Sequence, residues 1–105
     1  MTTGMERVAI GALSDYPDGR AVAVEVAGRR LAVARCGERM FALDDRCSHR
    51  GFPLHDGTVD GGIIRCRTHG ACFALDSGEV VRGPARRAVR TYRVTVEEGN
   101  VLVEV

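Results

Sequence analysis

Apolar and polar positions alternate along this chain in short runs. "RVAIGA" (7–12) is the first, followed by "RAVAVEVA" (20–27), "RLAVARC" (30–36) and "MFALD" (40–44). A period of two sends successive side chains to opposite faces of an extended backbone, so each run predicts a strand. Between them "YPDG", "AGR" and "CGER" carry the glycine and proline of tight antiparallel connections. At the other end "RTYRVTVEEGNVLVEV" (90–105) alternates on both sides of Glu98-Gly99-Asn100, the pattern of a closing hairpin. No segment sustains a 3.6-residue period, so helix is expected to be scarce.

The middle of the chain breaks this rhythm. Residues 45–84 hold all three histidines and seven of the thirteen glycines, interrupted by the short apolar runs "GIIRC" and "CFALD". The pattern predicts a β scaffold, residues 1–44 and 85–105, with an inserted loop-rich subdomain at 45–84. With 105 residues the chain is one domain, 1–105, with a single core. A fold of that size buries roughly 60–70% of its unfolded surface. The expected class is all-β: a small antiparallel β-sandwich or barrel.

Composition narrows the function without naming it. An apolar fraction of 45% and a formal charge of +1 argue against disorder and against a nucleic-acid partner. All fifteen basic residues are arginine, which a GC-rich coding sequence accounts for without any functional demand. The N-terminal stretch lacks the basic region of a signal peptide, and no later segment approaches the ~20 apolar residues that span a bilayer. A cytoplasmic protein with no membrane partner is expected. In that reducing compartment the four cysteines are expected to be ligands or free thiols.

The chemistry lies in "RCSHRGFPLH" (46–55) and "RCRTHGACF" (65–73). Cys47-x-His49, sixteen intervening residues and Cys66-x-x-His69 place two thiols and two imidazoles on two loops. Residues two or three apart in a turn can reach neighbouring atoms of one small cluster. Two cysteines and two histidines are also a structural zinc set, although such sites open with C-x(2-4)-C and a C-x-H pair is tight for one ion. His55 fits neither ligand slot and reads as a solvated loop residue. Cys36 and Cys72 read as free thiols, with a bridge between them disfavoured by compartment. Arg46, Arg50, Arg65 and Arg67 flank both pairs and suggest a positive collar that would steer the protein onto an acidic patch, less strongly as ionic strength rises.

The ligand pattern, the glycine in "HGACF", the loop "GEVVRGPA" and the closing hairpin resemble the Rieske family of iron-sulfur proteins over nearly the whole chain. The resemblance implies the Rieske fold and one 2Fe-2S cluster, with Cys47 and Cys66 on one iron and His49 and His69 on the other. It implies that Gly51 and Gly70 let the backbone near the cluster, and that Pro84 stiffens a third loop covering it. Two ferric ions, two sulfides, two thiolates and two neutral imidazoles sum to zero charge, which eases reduction relative to four thiolates. High-potential respiratory members carry a disulfide across the site, where this chain has Phe52 and Thr68. They also carry a serine and a tyrosine donor, where it has Ala71 and Phe73. A potential at the low end of the Rieske range follows.

Once His49 and His69 are assigned only His55 remains, too few histidines for the mononuclear iron of an oxygenase. No G-x-G-x-x-G follows a strand, so neither a flavin nor a nicotinamide domain is expected. What remains resembles a monomeric electron carrier: the ferredoxin component of a bacterial multicomponent aromatic ring-hydroxylating dioxygenase. Such a carrier docks transiently with a flavin-containing ferredoxin reductase and a terminal oxygenase, with the edges of His49 and His69 as the electron exit. The alternatives are the small Rieske-like subunit of an assimilatory nitrite reductase and a zinc or redox-sensing module.

Overall fold

The computed structural model describes residues 6–105; the first five residues of the stretch read for a targeting signal lie outside the described residues. Its strands are β1 (Arg7–Ala12), β2 (Ala21–Val26), β3 (Arg29–Cys36), β4 (Arg39–Asp44), β5 (Thr58–Asp60) and β6 (Ile63–Arg65). They continue as β7 (Cys72–Ala74), β8 (Val80–Arg82), β9 (Thr91–Tyr92), β10 (Val94–Glu97) and β11 (Asn100–Glu104). A single 3-10 turn at Leu13–Asp15 is the one helical element among the described residues. The strands form three antiparallel sheets in the orders β1-β11-β10, β2-β3-β4-β9 and β5-β6-β7-β8. The all-β sandwich expected from the alternation is what folds. No helix among the described residues is long and apolar enough to cross a membrane.

The middle sheet is buried on both faces, and β3 shows how. Leu31 and Val33 point into one apolar cluster with Tyr92, Val101 and Val103. Ala32 and Ala34 point the other way, into a cluster with Leu43, Leu54, Ile64, Phe73 and Leu75. All four are fully buried, so this run is the central layer of the sandwich rather than a half-exposed strand. The second cluster also takes in Cys47 and Cys66, which ties the two ligand loops directly to the scaffold.

The C-terminal run is not one hairpin. It divides at Arg93: Tyr92 in β9 pairs with Ala42 of β4, while β10 and β11 form the hairpin with Glu97 opposite Asn100. One stretch of chain thereby joins two sheets.

Two hairpins carry an unfavourable residue. Val26 pairs with Arg29 across Ala27-Gly28, and Glu97 pairs with Asn100 across Glu98-Gly99. All four loop residues have positive φ, and Ala27 and Glu98 sit at 51°. Two-residue loops of this hand favour Asn-Gly, because asparagine tolerates the left-handed region and other L-residues pay about 1–2 kcal/mol there. Ala27→Asn is therefore expected to stabilise the protein by about 0.5–1 kcal/mol. A urea midpoint that falls, rather than rises, would contradict this.

Candidate metal centre

The two loops that carry the Cys/His pairs have the same backbone frame. In the first, leaving β4, the Cys47 N–H donates to the Phe52 carbonyl at 2.7 Å and the Gly51 N–H to the Cys47 carbonyl at 2.7 Å. In the second, joining β6 to β7, the Cys66 N–H donates to the Ala71 carbonyl at 2.7 Å and the Gly70 N–H to the Cys66 carbonyl at 3.0 Å. Closing each loop needs a left-handed residue four positions after the cysteine, and Gly51 (φ +78°) and Gly70 (φ +77°) supply it. The preceding arginine covers each glycine: a Cβ at Gly51 would lie 3.2 Å from Nε of Arg46, and one at Gly70 3.2 Å from Nη2 of Arg65. "RCSHRG" and "RCRTHG" are thus one device built twice, with the histidine at the second position after cysteine in one copy and the third in the other.

Cys47 and Cys66 are almost fully buried. Burial pushes the Cys47 thiol above its usual pKa, and the neighbouring Cys66 thiol pushes it further. The backbone N–H groups of His49 and Arg50 pull the other way, toward the thiolate. A cation bound between the thiols would reverse the balance and release their protons.

The imidazoles form a second pair. The rings of His49 and His69 lie 5.1 Å apart between centroids, at 89° to each other. Desolvation lowers the pKa of His49, helped by the positive charges of His69 and Arg50, which favours the neutral form that ligates metals. Its Nδ1 is buried without a hydrogen-bond partner. A buried polar atom left unpaired costs about 1–3 kcal/mol, and a metal bond would satisfy it. The residues present therefore fit a metal group. Among the described residues no three His, Cys, Asp or Glu side chains gather around a point suited to a single ion.

Phe52 packs 6.0 Å from the His69 ring. Ala71 and Phe73 are fully buried in the apolar cluster and bring no hydroxyl to the site. Pro84 borders a hollow beside Ser48 and His49, and the Ser48 hydroxyl donates to the Arg87 carbonyl at 2.6 Å, pinning the third loop to the first. Cys36 and Cys72 are both free, and the Cys72 thiol donates to the Gly70 carbonyl at 3.5 Å.

His55 is not the solvated loop residue expected from sequence. Its Nδ1 lies 2.7 Å from Oδ2 of Asp45, whose side chain is fully buried. Oδ1 of the same carboxylate accepts the N–H groups of Leu54 and His55, both at 2.7 Å, and Arg30 Nε approaches Oδ2 at 3.3 Å. Asp45 thus clamps both ends of the first ligand loop to β3. Sequence reasoning missed it, because its place two residues before Cys47 in "DDRC" is the only trace it leaves.

Residues 6–93 match the family described as the Rieske [2Fe-2S] domain, and the chain belongs to that family. Within it the chain is of the ferredoxin kind, an electron-transfer protein and not itself a catalytic oxygenase. It is 32% identical over 102 residues to the 3-phenylpropionate/cinnamic acid dioxygenase ferredoxin subunit of Photorhabdus laumondii, covering 96% of each chain. It superposes on the ferredoxin of Sphingomonas yanoikuyae B1 with a TM-score of 0.87 and 32% identity, covering 95% of this chain and 99% of that one. A chain from a complex of oxygenase and ferredoxin in carbazole 1,9a-dioxygenase superposes with a TM-score of 0.85 and 34% identity, covering 91% and 99%.

Proposed function

We propose that Cys47 and Cys66 hold one iron, and His49 and His69 the other, of a single 2Fe-2S cluster. The observation that carries this is the pairing itself: thiol with thiol in the interior and ring with ring toward the surface, with Nδ1 of His49 unpartnered. Two ligands per metal suit two irons, whereas a structural zinc needs four donors converging on one ion. The sheet β5-β6-β7-β8, lying wholly within residues 45–84, supports the division into scaffold and cluster-binding insert.

When bound, such a cluster takes up and gives back one electron at a time. The chain's own part is to bury the two sulfurs, favour the neutral form of the His49 imidazole, and leave the His69 ring exposed to a partner. The carrier function is that of an aromatic ring-hydroxylating dioxygenase system: electrons come from a flavin-containing NAD(P)H reductase and go to the terminal oxygenase, with both contacts transient and the carrier a cytoplasmic monomer. Ferredoxin subunits of such systems are similar to this chain over nearly its whole length, which supports the reading.

The test is reduction of the purified protein followed by its oxidation by the terminal oxygenase of an aromatic ring-hydroxylating dioxygenase system, with oxygenase turnover as the readout. A protein that purifies only bound to a large sirohaem flavoprotein would instead support the nitrite reductase alternative. Because Ala71 and Phe73 offer no hydroxyl donors, the reduced state gains little stabilisation, and protein-film voltammetry is expected to give a midpoint of about −150 mV, the low end of the Rieske range. A strongly positive value would contradict that reasoning.

A further inference from the structure

The collar of arginines expected from sequence is lopsided in the structure. A hollow of about 490 Å³ opens between the first Cys/His loop and residues 87–90, lined by His49 with Arg46, Arg50, Arg87 and Arg90. A second hollow of about 420 Å³ shares His49 and Arg87 and adds Arg86. None of these five arginines has an ion-pair partner among the described residues. On the other loop Arg67 lies 3.8 Å from the Asp56 carboxylate, an exposed pair that offsets part of its charge, and Arg65, laid over Gly70, is the one other arginine there without an ion-pair partner among the described residues, against five on the His49 side.

The His49 side is also braced. Arg90 sits over the Tyr92 ring at 5.1 Å, and the Tyr92 hydroxyl donates to Asp44 at 2.6 Å. Asp44, the one carboxylate lining the larger hollow, is thus already engaged, and its N–H donates to the Arg90 carbonyl at 2.9 Å. Together with the Ser48 to Arg87 bond, these contacts fix the backbone that carries Arg87 and Arg90.

We propose that the protein docks off-centre, on its His49 side, and that these two hollows receive neighbouring carboxylates from an acidic segment of the redox partner. Unpaired guanidiniums on concave walls focus a positive potential, and their planar forks match carboxylates. With a net formal charge of only +1 the basic field is local. It suits a few carboxylates on a protein surface rather than the extended charge of a nucleic acid or membrane. The inference rests on the carrier reading and adds the chemistry and position of the partner's contact, placing the acceptor nearer His49 than His69.

A fluorescein-labelled hexaglutamate peptide, followed by anisotropy, tests the surface without redox chemistry. The peptide is expected to bind the iron-loaded protein, to bind R86E/R87E about tenfold more weakly, and to bind R67E with nearly unchanged affinity. In a second arm, stopped-flow oxidation of the reduced protein by hexacyanoferrate(III) is expected to slow with rising salt and in R86E/R87E. Oxidation by the cationic tris(phenanthroline)cobalt(III) is expected to do neither. Equal losses in R67E and R86E/R87E, or no peptide binding, overturn the inference while a retained visible spectrum leaves the carrier reading standing. A chain that holds no iron overturns the carrier reading itself.

Discussion

Cys66→Ser is expected to give a folded chain that holds no iron. Serine is close to cysteine in size, and Cys66 sits in an apolar cluster whose other members are untouched, so the β scaffold persists. What is lost is the thiolate. A buried hydroxyl does not ionise near neutral pH, and the inner metal would be left with Cys47 alone. The native protein should contain about two irons and two acid-labile sulfides per chain and show visible charge-transfer absorption with an EPR signal on reduction. The variant should be colourless, with an unchanged far-UV circular dichroism spectrum. Cys72→Ser is the companion measurement. The Cys72 thiol makes one long hydrogen bond, to the Gly70 carbonyl, and its strand pairing with Arg65 and Arg82 is through the backbone, so its variant should keep both colour and iron content. A colourless Cys72 variant, or a coloured Cys66 variant, would show that the wrong thiols have been assigned.

Asp45→Asn is expected to cost about 3–5 kcal/mol of stability, the range for breaking a buried charged contact. The carboxylate is fully buried and every contact it makes is to a donor: two backbone N–H groups on Oδ1, and the His55 ring with Arg30 on Oδ2. Asparagine presents one oxygen and one NH₂ group, so one side of the clamp turns from acceptor to donor. Arg30 then faces an NH₂ group in place of a carboxylate oxygen, and His55 keeps its contact only by moving its ring proton to Nε2. Because this clamp closes the first ligand loop, the cluster should also bleach faster in air or with chelator, even under conditions where the chain remains folded. The check is a urea titration beside a bleaching time course of the loaded protein. An unchanged midpoint and an unchanged bleaching rate together would remove Asp45 from its positioning role.

The site was more legible in the sequence than its supports. Cys47, His49, Cys66 and His69 stand in two compact motifs whose chemistry shows in the residue types alone. Asp45 does not, since nothing in "LDDRC" distinguishes the buried Asp45 from Asp44, which borders a surface hollow. The same limit applies to the arginines. Arg46, Arg50, Arg65 and Arg67 flank the motifs and were found that way, yet Arg67 is offset by Asp56 while Arg86, Arg87 and Arg90 arrive from a segment some forty residues downstream of the first motif. Gly78 is a further case. It looks like an ordinary turn glycine, but a Cβ there would come within 1.9 Å of the Val89 carbonyl, a contact made only after the chain returns.

The sequence by itself determined the strands of the scaffold, the all-β class and the two Cys/His motifs proposed to hold the cluster, because alternation and short-range spacing are local properties that each segment carries with it. Only the tertiary structure decided that β3 is the central layer, that residues 90–105 serve two sheets, that a buried carboxylate locks the first loop and that positive charge gathers on the His49 side. Those features depend on which distant segments meet. Burial and electrostatic balance are sums over spatial neighbours, and neighbours in space are fixed only when the chain has closed on itself.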